Sequence, residues 1–478
     1  MNLSLFSVHS TWITVALAVA LPSGIAILFP TLASAGTPPK AQNSSSSVQV
    51  PNSLNPNSNP LQFPTKPEEV RIQQTVPISL AQALELAKRN NRDLQVAILQ
   101  LERSRAALRE SQAALYPTLG LDSRVTNNGN GFTNNSSQSS TTFNGSVQLN
   151  YDLYTSGNRE ASIRAAEEQL RVDEFNVETQ SLTTRLNAST QYYDLQQADE
   201  SVRINRSAVA NAQASLRDTQ AREQAGVGTR FDVLQAQVNL ANAQQNLTNS
   251  ISQQQIARRQ LATLLSLSQS VNISAADPVQ LAGLWQPTLE QTIVQAFQNR
   301  PELPQNLAQR NIYEQQRRQA LSQLGPQISL VGNYNLLDRY NDGVSITDGY
   351  SAGLQGNVSL FDGGVAKARA DQSRANIGIT ESQFASQRNQ IRFDVEQYYS
   401  QLQSNLNNVQ TSSVALNQAR EAVNLARLRF QAGVGTQTEV IDAENDLTRA
   451  EGNRVAAILD YNRALANLQR SVTSRASR

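Results

Sequence analysis

Two stretches of this chain carry an apolar residue at every seventh position without a break, and this spacing limits the possible folds more than any other feature. The two seams are Val395, Leu402, Val409, Leu416, Val423 and Phe430 in the second half, and Ala188, Leu195, Val202, Val209 and Leu216 in the first. A period of seven predicts coiled-coil helices with a left-handed supercoil. No Pro or Gly occurs from about Asn158 to Glu223, so we predict a helix of roughly 100 Å there, at 1.5 Å per residue.

An ordinary buried helix is the alternative. It is disfavoured because the faces away from the seam are filled by Gln, Asn, Arg and Ser. Hydrophobic residues make up 39% of the chain, which is low for a thick core of ordinary globular shape. Long helices with narrow apolar seams fit this composition better.

The chain is an internal duplication. The hexapeptide QAGVGT occurs at Gln224–Thr229 and again at Gln431–Thr436, an offset of 433 − 226 = 207, and Pro117 corresponds to Pro326, an offset of 326 − 117 = 209. Each half reads as a short helix, a helix, a strand pair, a very long helix, the hexapeptide and a returning helix. We predict structural repeats at 76–275 and 276–478, with β-hairpins at 118–154 and 327–361 and helical hairpins at 158–266 and 365–470.

The predicted strands alternate between polar and apolar residues. Ser146 to Leu153 and Ser351 to Leu360 follow this pattern, and their predicted partners are Leu119–Val125 and Gln327–Leu336. One polar and one apolar face, at about this length, is typical of tilted membrane-spanning strands. A soluble sheet of two hairpins is the second interpretation, but the chain offers little else to cover the apolar face.

Four strands cannot close a barrel, and lipid does not tolerate open sheet edges. A membrane interpretation therefore requires several copies, with eight strands from two copies or twelve from three. The residues alone do not choose between these numbers. The fold class is thus mainly α with a small β part, in which the long helices oligomerise together with the strands.

The first 35 residues have no charged side chain and end in Ala33-Ser34-Ala35, so residues 1–35 are predicted to be a secretory signal peptide. An uncleaved membrane anchor is the alternative. Residues 36–75 are rich in Ser, Asn and Pro and are predicted to be a disordered linker. The chain has no cysteine, which excludes disulfides and a lipid on an amino-terminal Cys.

Composition also argues against catalysis. The only histidine, His9, lies within the signal peptide, so the mature chain lacks the residues of Ser-His-Asp and Cys-His sites and of zinc sites built on imidazole or thiolate. Carboxylate-pair hydrolysis stays chemically open. A net charge of +1 indicates no nucleic-acid partner. No enzyme activity, cofactor or metal is expected.

Each copy of QAGVGT is interpreted as the tip of a helical hairpin. Gly226 and Gly433 follow the end of the outgoing helix, where a residue with positive φ closes the last turn. Thr229 and Thr436 are placed to cap the returning helix, with Asp232 and Glu439 in its first turn. This role explains the glycines but not the shared Gln, Ala and Val.

Two long hairpins that end in G-V-G-T resemble the TolC-like outer-membrane efflux protein family. The resemblance also includes Leu360-Phe361-Asp362-Gly363-Gly364, its counterpart Leu153-Tyr154-Thr155-Ser156-Gly157, and the pairs Tyr192-Tyr193 and Tyr398-Tyr399. It implies a homotrimer with a twelve-stranded β-barrel in the outer membrane and a twelve-helix α-barrel across the periplasm. A periplasmic adaptor (membrane fusion) protein would meet the tips, and an inner-membrane pump or ABC transporter would supply the energy.

The resemblance also implies candidate site residues. Adaptor docking is expected at the tips, at Arg222, Gln224, Ala225, Gly226, Val227, Gly228, Thr229, Arg429, Gln431, Ala432, Gly433, Val434, Gly435 and Thr436. After the second tip, the stretch from Glu439 to Ala443 matches the family's D-V-L-D-A pattern, whose acids narrow the pore entrance. Glu439, Asp442 and, in the first repeat, Asp232 are therefore candidates for a constriction. Compensation of the helix dipole is the structural alternative for Glu439 and Asp442.

The resulting function is that of an exit duct in efflux or type I secretion, which passes drugs, lipids or proteins outward. Two alternatives from other classes stay open at this point. One is a purely structural coiled-coil envelope protein, and the other is a carboxylate-dependent hydrolase.

Overall fold

The structure is a computed structural model that describes Leu54, Asn59 and residues 61–72, 74–129, 139–268, 270–340 and 346–473. The predicted signal peptide of residues 1–35 lies outside these residues. The elements of the first half are α1 (Pro67–Val70), β1 (Gln74–Ile78), α2 (Leu80–Asn90), α3 (Arg92–Ala113), β2 (Thr118–Gly129), β3 (Ser139–Tyr154), α4 (Asn158–Gln224) and α5 (Arg230–Leu264). Those of the second half are β4 (Val271–Ala275), α6 (Leu289–Asn299), α7 (Glu302–Ser322), β5 (Gln327–Tyr340), β6 (Thr347–Asn357), α8 (Val365–Gln431) and α9 (Gln437–Val472).

Two helices dominate the molecule, since α4 and α8 contain 67 residues each. At 1.5 Å per residue each is roughly 100 Å long. The heptad seams explain this geometry. Leu195, Val202, Val395 and Leu402 are buried, whereas Phe430 at the end of its helix is only half-buried. The prediction of a mainly helical fold with a small β part is confirmed.

Shorter helices stack end to end beside the two long ones. Asn91 Nδ2, at the start of α3, donates to the Leu264 carbonyl at the end of α5 over 3.2 Å, and Asn299 Nδ2 donates to the Val472 carbonyl over 2.7 Å. Two stacked columns result, α3 with α5 and α7 with α9. Helix α4 contacts both columns, and α8 contacts the α7/α9 column. The layer therefore has the order α3/α5, α4, α7/α9, α8, with unpartnered sides on the first and the last member.

The four long strands form one antiparallel sheet in the order β2-β3-β5-β6. All four extend beyond the predicted bounds because the hairpins continue into their polar loops, for example through the pairs Asn127–Thr141 and Leu337–Thr347. Strand β6 ends earlier than expected, at Asn357. Just beyond it, Asp362 accepts hydrogen bonds from the Gly364 and Ala366 amides at 2.8 and 2.7 Å, which caps the start of α8 instead of continuing the strand.

A second sheet was not predicted. Strand β1 pairs in parallel with β4, with Val76 opposite Ile273. Together with α2 and parts of α4, α5 and α9, this pair encloses a core that includes Tyr192, Leu261 and Ile273. A smaller core joins α6 to α8 and α9 around Ile391 and Tyr461. Both cores lie near the middle of the long helices, at residues 192–204 of α4 and 391–402 of α8, and they are called the belt below.

Residues 36–75, the predicted disordered linker, lie largely outside the described residues. Those that are described differ from the prediction. Leu54 is buried in the core of the belt, Pro67–Val70 is a helical turn, and Gln74 and Thr75 belong to β1. The reason is that Leu54 joins a core built from several helices and β1 pairs with a strand about 200 residues away, which local composition does not reveal. The repeat bounds 76–275 and 276–478 stay a prediction, although the helices and long strands follow the same order in both halves.

Candidate functional site

The first QAGVGT closes the end of α4 with backbone hydrogen bonds. Gly226 adopts a left-handed conformation, with φ of 76°. The amides of Val227 and Gly228 both donate to the Arg222 carbonyl at 3.0 Å. This geometry satisfies the last carbonyls of the helix, as expected for a glycine after the helix end. A Cβ at Gly228 would lie 3.0 Å from Arg222 Cβ, so the second glycine allows the close approach of the turn.

Thr229 begins α5 with a reciprocal cap. Its hydroxyl accepts from the Asp232 amide at 3.2 Å, and Asp232 Oδ2 accepts from the Thr229 amide and hydroxyl at 3.1 and 2.6 Å. A carboxylate also stabilises the positive end of a helix dipole. The structure therefore places Asp232 as a capping group whose carboxylate is held by local bonds.

The second QAGVGT repeats the turn with small differences. Gly433 has φ of 75°, and the Val434 amide donates to the Arg429 carbonyl at 3.0 Å. Thr436 accepts from the Glu439 amide at 3.2 Å. The Glu439 carboxylate, however, lies 3.8 Å from Arg429 Nη2 instead of completing the cap. Glu439 is thus less tightly held than Asp232.

An arginine of the first tip contacts the second tip. Arg222 Nη1 donates to the Phe430 carbonyl over 2.8 Å, and the Arg222 Cζ lies 4.4 Å from the centre of the Phe430 ring. A guanidinium over an aromatic face gains a cation–π interaction besides the hydrogen bond. Sequence reasoning assigned Arg222 to partner docking and missed this contact. The available signal was that Phe430 aligns with Glu223 in the other repeat, which marks a difference between otherwise similar tips.

Polar side chains join the helices just behind the tips. Gln437 is buried, and its Nε2 donates to Ser215 Oγ over 2.6 Å, which ties α9 to α4. Arg427 Nη2 lies 2.7 Å from Oε1 of the buried Glu444, which ties α8 to α9. These residues were not found from the sequence because Gln and Glu in a polar helix resemble solvated surface.

The candidate acids occupy two different situations. Glu439 and Asp442 are both exposed, and their spacing of three residues places them on one face of α9. Asp232 lies on α5 and caps that helix. The structure therefore places Glu439 and Asp442 together on α9. Asp232 lies on the neighbouring helix α5, where Gln235 Nε2 donates to Thr438 Oγ1 of α9 over 3.1 Å.

Large apolar side chains protrude from both tips. Val227 and Val434 are 68% and 69% exposed, and Phe231 follows at 70%. Exposed apolar side chains that cluster on one end of a molecule are typical of a contact surface for another protein.

No helix in the described part of the chain combines the length and the apolar character needed to cross a membrane. Among the same residues, no group of three acidic or His side chains is placed to hold a metal ion.

Comparison with known proteins gives consistent relatives. A family model described as outer membrane efflux protein matches residues 83–266 and 292–473. The chain is 24% identical to the pyoverdine export outer membrane protein OpmQ of Pseudomonas aeruginosa, over 81% of this chain and 82% of that protein. It is 22% identical to the outer membrane protein TolC of Vibrio cholerae serotype O1, over 82% and 90%. It is 24% identical to the outer membrane efflux protein BepC of Brucella suis biovar 1, over 64% and 66%.

Solved structures of channels share the fold. A crystal structure of CusC superposes with a TM-score of 0.73 at 17% identity, over 88% of this chain and all of that chain. The outer-membrane channel OprN superposes with a TM-score of 0.70 at 18% identity, over 89% and 97%.

Proposed function

Because this chain belongs to the outer membrane efflux protein family, we propose that three copies of it join into one duct through the periplasm and the outer membrane. The family's members lie in the outer membrane and extend into the periplasm, and so does this chain. It is the exit channel of an efflux or secretion system. We propose three further points: the number of copies, the partners that dock at the tips, and the residues that narrow the pore entrance.

One observation carries the proposal, namely that both layers of the molecule are open at both sides. Within the described residues, β2 pairs only with β3 and β6 only with β5. The helical layer likewise ends in α3/α5 on one side and α8 on the other. Open sheet edges are not stable in lipid. When each edge joins the opposite edge of another copy, the open strands gain hydrogen-bond partners and the unpartnered helices gain packing partners.

The geometry of barrels favours three copies over two. Two copies would supply eight strands, and an eight-stranded barrel is just wide enough for its own side chains to fill. Three copies supply twelve strands, which leaves a lumen. The same three copies contribute twelve helix columns, roughly 100 Å long, so one continuous tube passes from the sheet to the tips.

Partners are proposed at the tips. A periplasmic adaptor protein would contact the exposed Val227 and Val434, and an inner-membrane pump or ABC transporter would deliver the cargo. The sequence contains no nucleotide-binding loop of its own, so we assign the energy source to that partner. We also infer that this chain performs no catalytic step, because passage through an open tube requires none.

Replacing Val227 and Val434 with Asp is expected to weaken adaptor binding about tenfold or more, because a buried charge would replace an apolar contact at each tip. The assay is resistance of the native host to toxic solutes, or secretion of its exported proteins, after the chromosomal gene is replaced. Val294→Asp is a matched control, since this valine is similarly exposed but lies on α6 in the belt. Normal export by the double tip variant would remove these valines from the docking surface.

Glu439 and Asp442 are proposed to form an acidic ring at the entrance. Repeated by the symmetry of three copies, six carboxylates around a narrow axis attract cations and restrict flow. Converting both residues to Ala is expected to raise the single-channel conductance in planar bilayers and to weaken block by divalent cations. The double variant Glu439→Gln and Asp442→Asn removes the charges but keeps side chains of similar size. It should abolish the block by divalent cations and raise the conductance less than the double Ala variant does. Unchanged conductance and unchanged block would remove the ring from the account.

A further inference from the structure

The internal duplication relates contacts within one chain to contacts between copies. In a ring of three chains, first and second repeats alternate. The contact between the two repeats of one chain should therefore resemble the contact between its second repeat and the first repeat of the next copy. Such head-to-tail contacts close into a ring. Around the tips the two repeats correspond with an offset of 433 − 226 = 207. Each contact that joins α4 to the second repeat therefore has a counterpart that joins α8 to a neighbouring copy.

Burial follows this correspondence. Ile441 of α9 is 7% exposed and lies one turn after Gln437, whose side chain donates to Ser215 of α4. Its counterpart at 441 − 207 = 234 is Leu234 of α5, which is 47% exposed, and α5 lies at an open side of the helical layer in the single chain. Leu234 is a large apolar residue at a position equivalent to the buried Ile441. Its exposure in the single chain indicates that α8 of another copy packs against α5.

The contact between the tips has the most specific counterpart. Within the chain, Arg222 donates to the Phe430 carbonyl and covers the Phe430 ring. With the same offset, Arg222 corresponds to Arg429, and Phe430 corresponds to Glu223. Between copies, the second arginine would reach toward a carboxylate in place of an aromatic ring.

Both residues are available for this contact. In the single chain the Arg429 side chain is 51% exposed, and it lies 3.8 Å from Glu439. Glu223 is partly exposed and lies 3.7 Å from Arg230. Both separations are longer than the 2.7–2.9 Å that is usual for a strong charge-assisted hydrogen bond, so neither present pair holds its members firmly.

We propose that Arg429 of each copy forms an ion pair with Glu223 of the next copy, so that three such pairs join the tips of the assembly into a ring. The inference rests on the trimer proposed above. The ring alternates two kinds of link, because Arg222 and Phe430 join the tips inside each chain and Arg429 and Glu223 join them between chains. The charged links are exposed at the tip and therefore weaken as the salt concentration rises, whereas the links made with Phe430 keep their packing.

Cross-linking tests the proposal directly, because the natural chain contains no cysteine. Glu223→Cys combined with Arg429→Cys is treated with a short thiol-reactive cross-linker in the folded, detergent-purified state. We expect species of two and three linked chains on a denaturing gel. Arg222→Cys with Phe430→Cys is the matched control and should link only within one chain. Asp218→Cys with Arg429→Cys should give no linked species, since Asp218 lies more than one turn before Glu223 on α4.

Charge reversal provides a second measurement that needs no cross-linker. Glu223→Arg and Arg429→Glu should each lower the temperature at which the assembly dissociates at low salt, and the double variant should restore it. A native mass of three chains without cross-links at 223 and 429, or without restoration, overturns this ion pair and leaves the duct intact. A native mass of one chain overturns the ion pair and the duct together.

Discussion

Arg300→Ala is expected to lower the free energy of unfolding by about 3 kcal/mol, because it breaks a buried ion-pair network. Arg300 is 5% exposed, and its Nε lies 3.1 Å from Glu302 Oε2 while its Nη1 lies 3.6 Å from Asp394. Glu302 also binds Arg470 over 2.8 Å. The network fastens the start of α7 to α8 and to the end of α9. Denaturant unfolding of the detergent-purified protein, followed by its helical circular dichroism, measures the loss.

Arg310→Ala is the matched control for this prediction. Arg310 and Glu381 also join α7 to α8, at 3.0 Å, but both side chains are exposed, so the expected cost is below about 1 kcal/mol. Equal losses for the two variants would show that the buried network contributes no more than a surface pair.

The same network makes the free energy of unfolding depend on pH in the acidic range. Burial alone would raise the pKa of Glu302, but the neighbouring Arg300 and Arg470 outweigh it and lower the pKa below the ordinary value of 4.5. A carboxyl group with a lowered pKa in the folded state contributes stability above its unfolded pKa and loses it as the pH falls through the folded value. Stability should therefore decline below about pH 4.5, and this decline should be shallower in the Arg300→Ala variant.

Tyr192→Ala is expected to cost about 3–5 kcal/mol, as for large aromatic residues removed from a packed core. Tyr192 is fully buried in the belt. Its hydroxyl lies 3.0 Å from the Ile78 carbonyl and 2.9 Å from Asp277 Oδ2, and it accepts from the Asp277 amide at 3.2 Å. Burial raises the pKa of this phenol far above its usual range, so the group stays neutral.

Tyr192→Phe separates packing from hydrogen bonding. It keeps the ring but leaves the Asp277 amide without this acceptor, for an expected cost of about 1–3 kcal/mol. The same unfolding measurement applies to both variants. A loss of less than about 1 kcal/mol in the Ala variant would contradict the role of Tyr192 as the centre of the belt.

The long helices were predictable because their signal is local and periodic. A seam such as Leu195 and Val202 repeats over many turns, and the absence of Pro and Gly fixes its length within a few residues of α4. The hexapeptide tips were predictable for a related reason, since Gly226 and Thr229 satisfy a helix end and a helix start through their own backbone geometry.

Contacts between distant segments were not predictable. Strand β1 contains Pro77 and pairs with β4 about 200 residues further along the chain, so neither five-residue strand has a local pattern that stands out. Arg222 and Phe430 meet only because the two hairpins end at the same level. Arg300 and Glu302 resemble exposed charges in the sequence and are buried only because α8 and α9 pack over them.

The most direct test of the account is the mass of the folded protein by native mass spectrometry in a mild detergent. The sheet of each chain has one open edge at β2 and the other at β6, and the central claim is that identical chains join at these edges around a shared hollow tube. The account predicts a particle of three chains that keeps its helical signal. A folded particle of one chain would contradict it, because β2, β6, α5 and α8 would then have found partners within their own molecule.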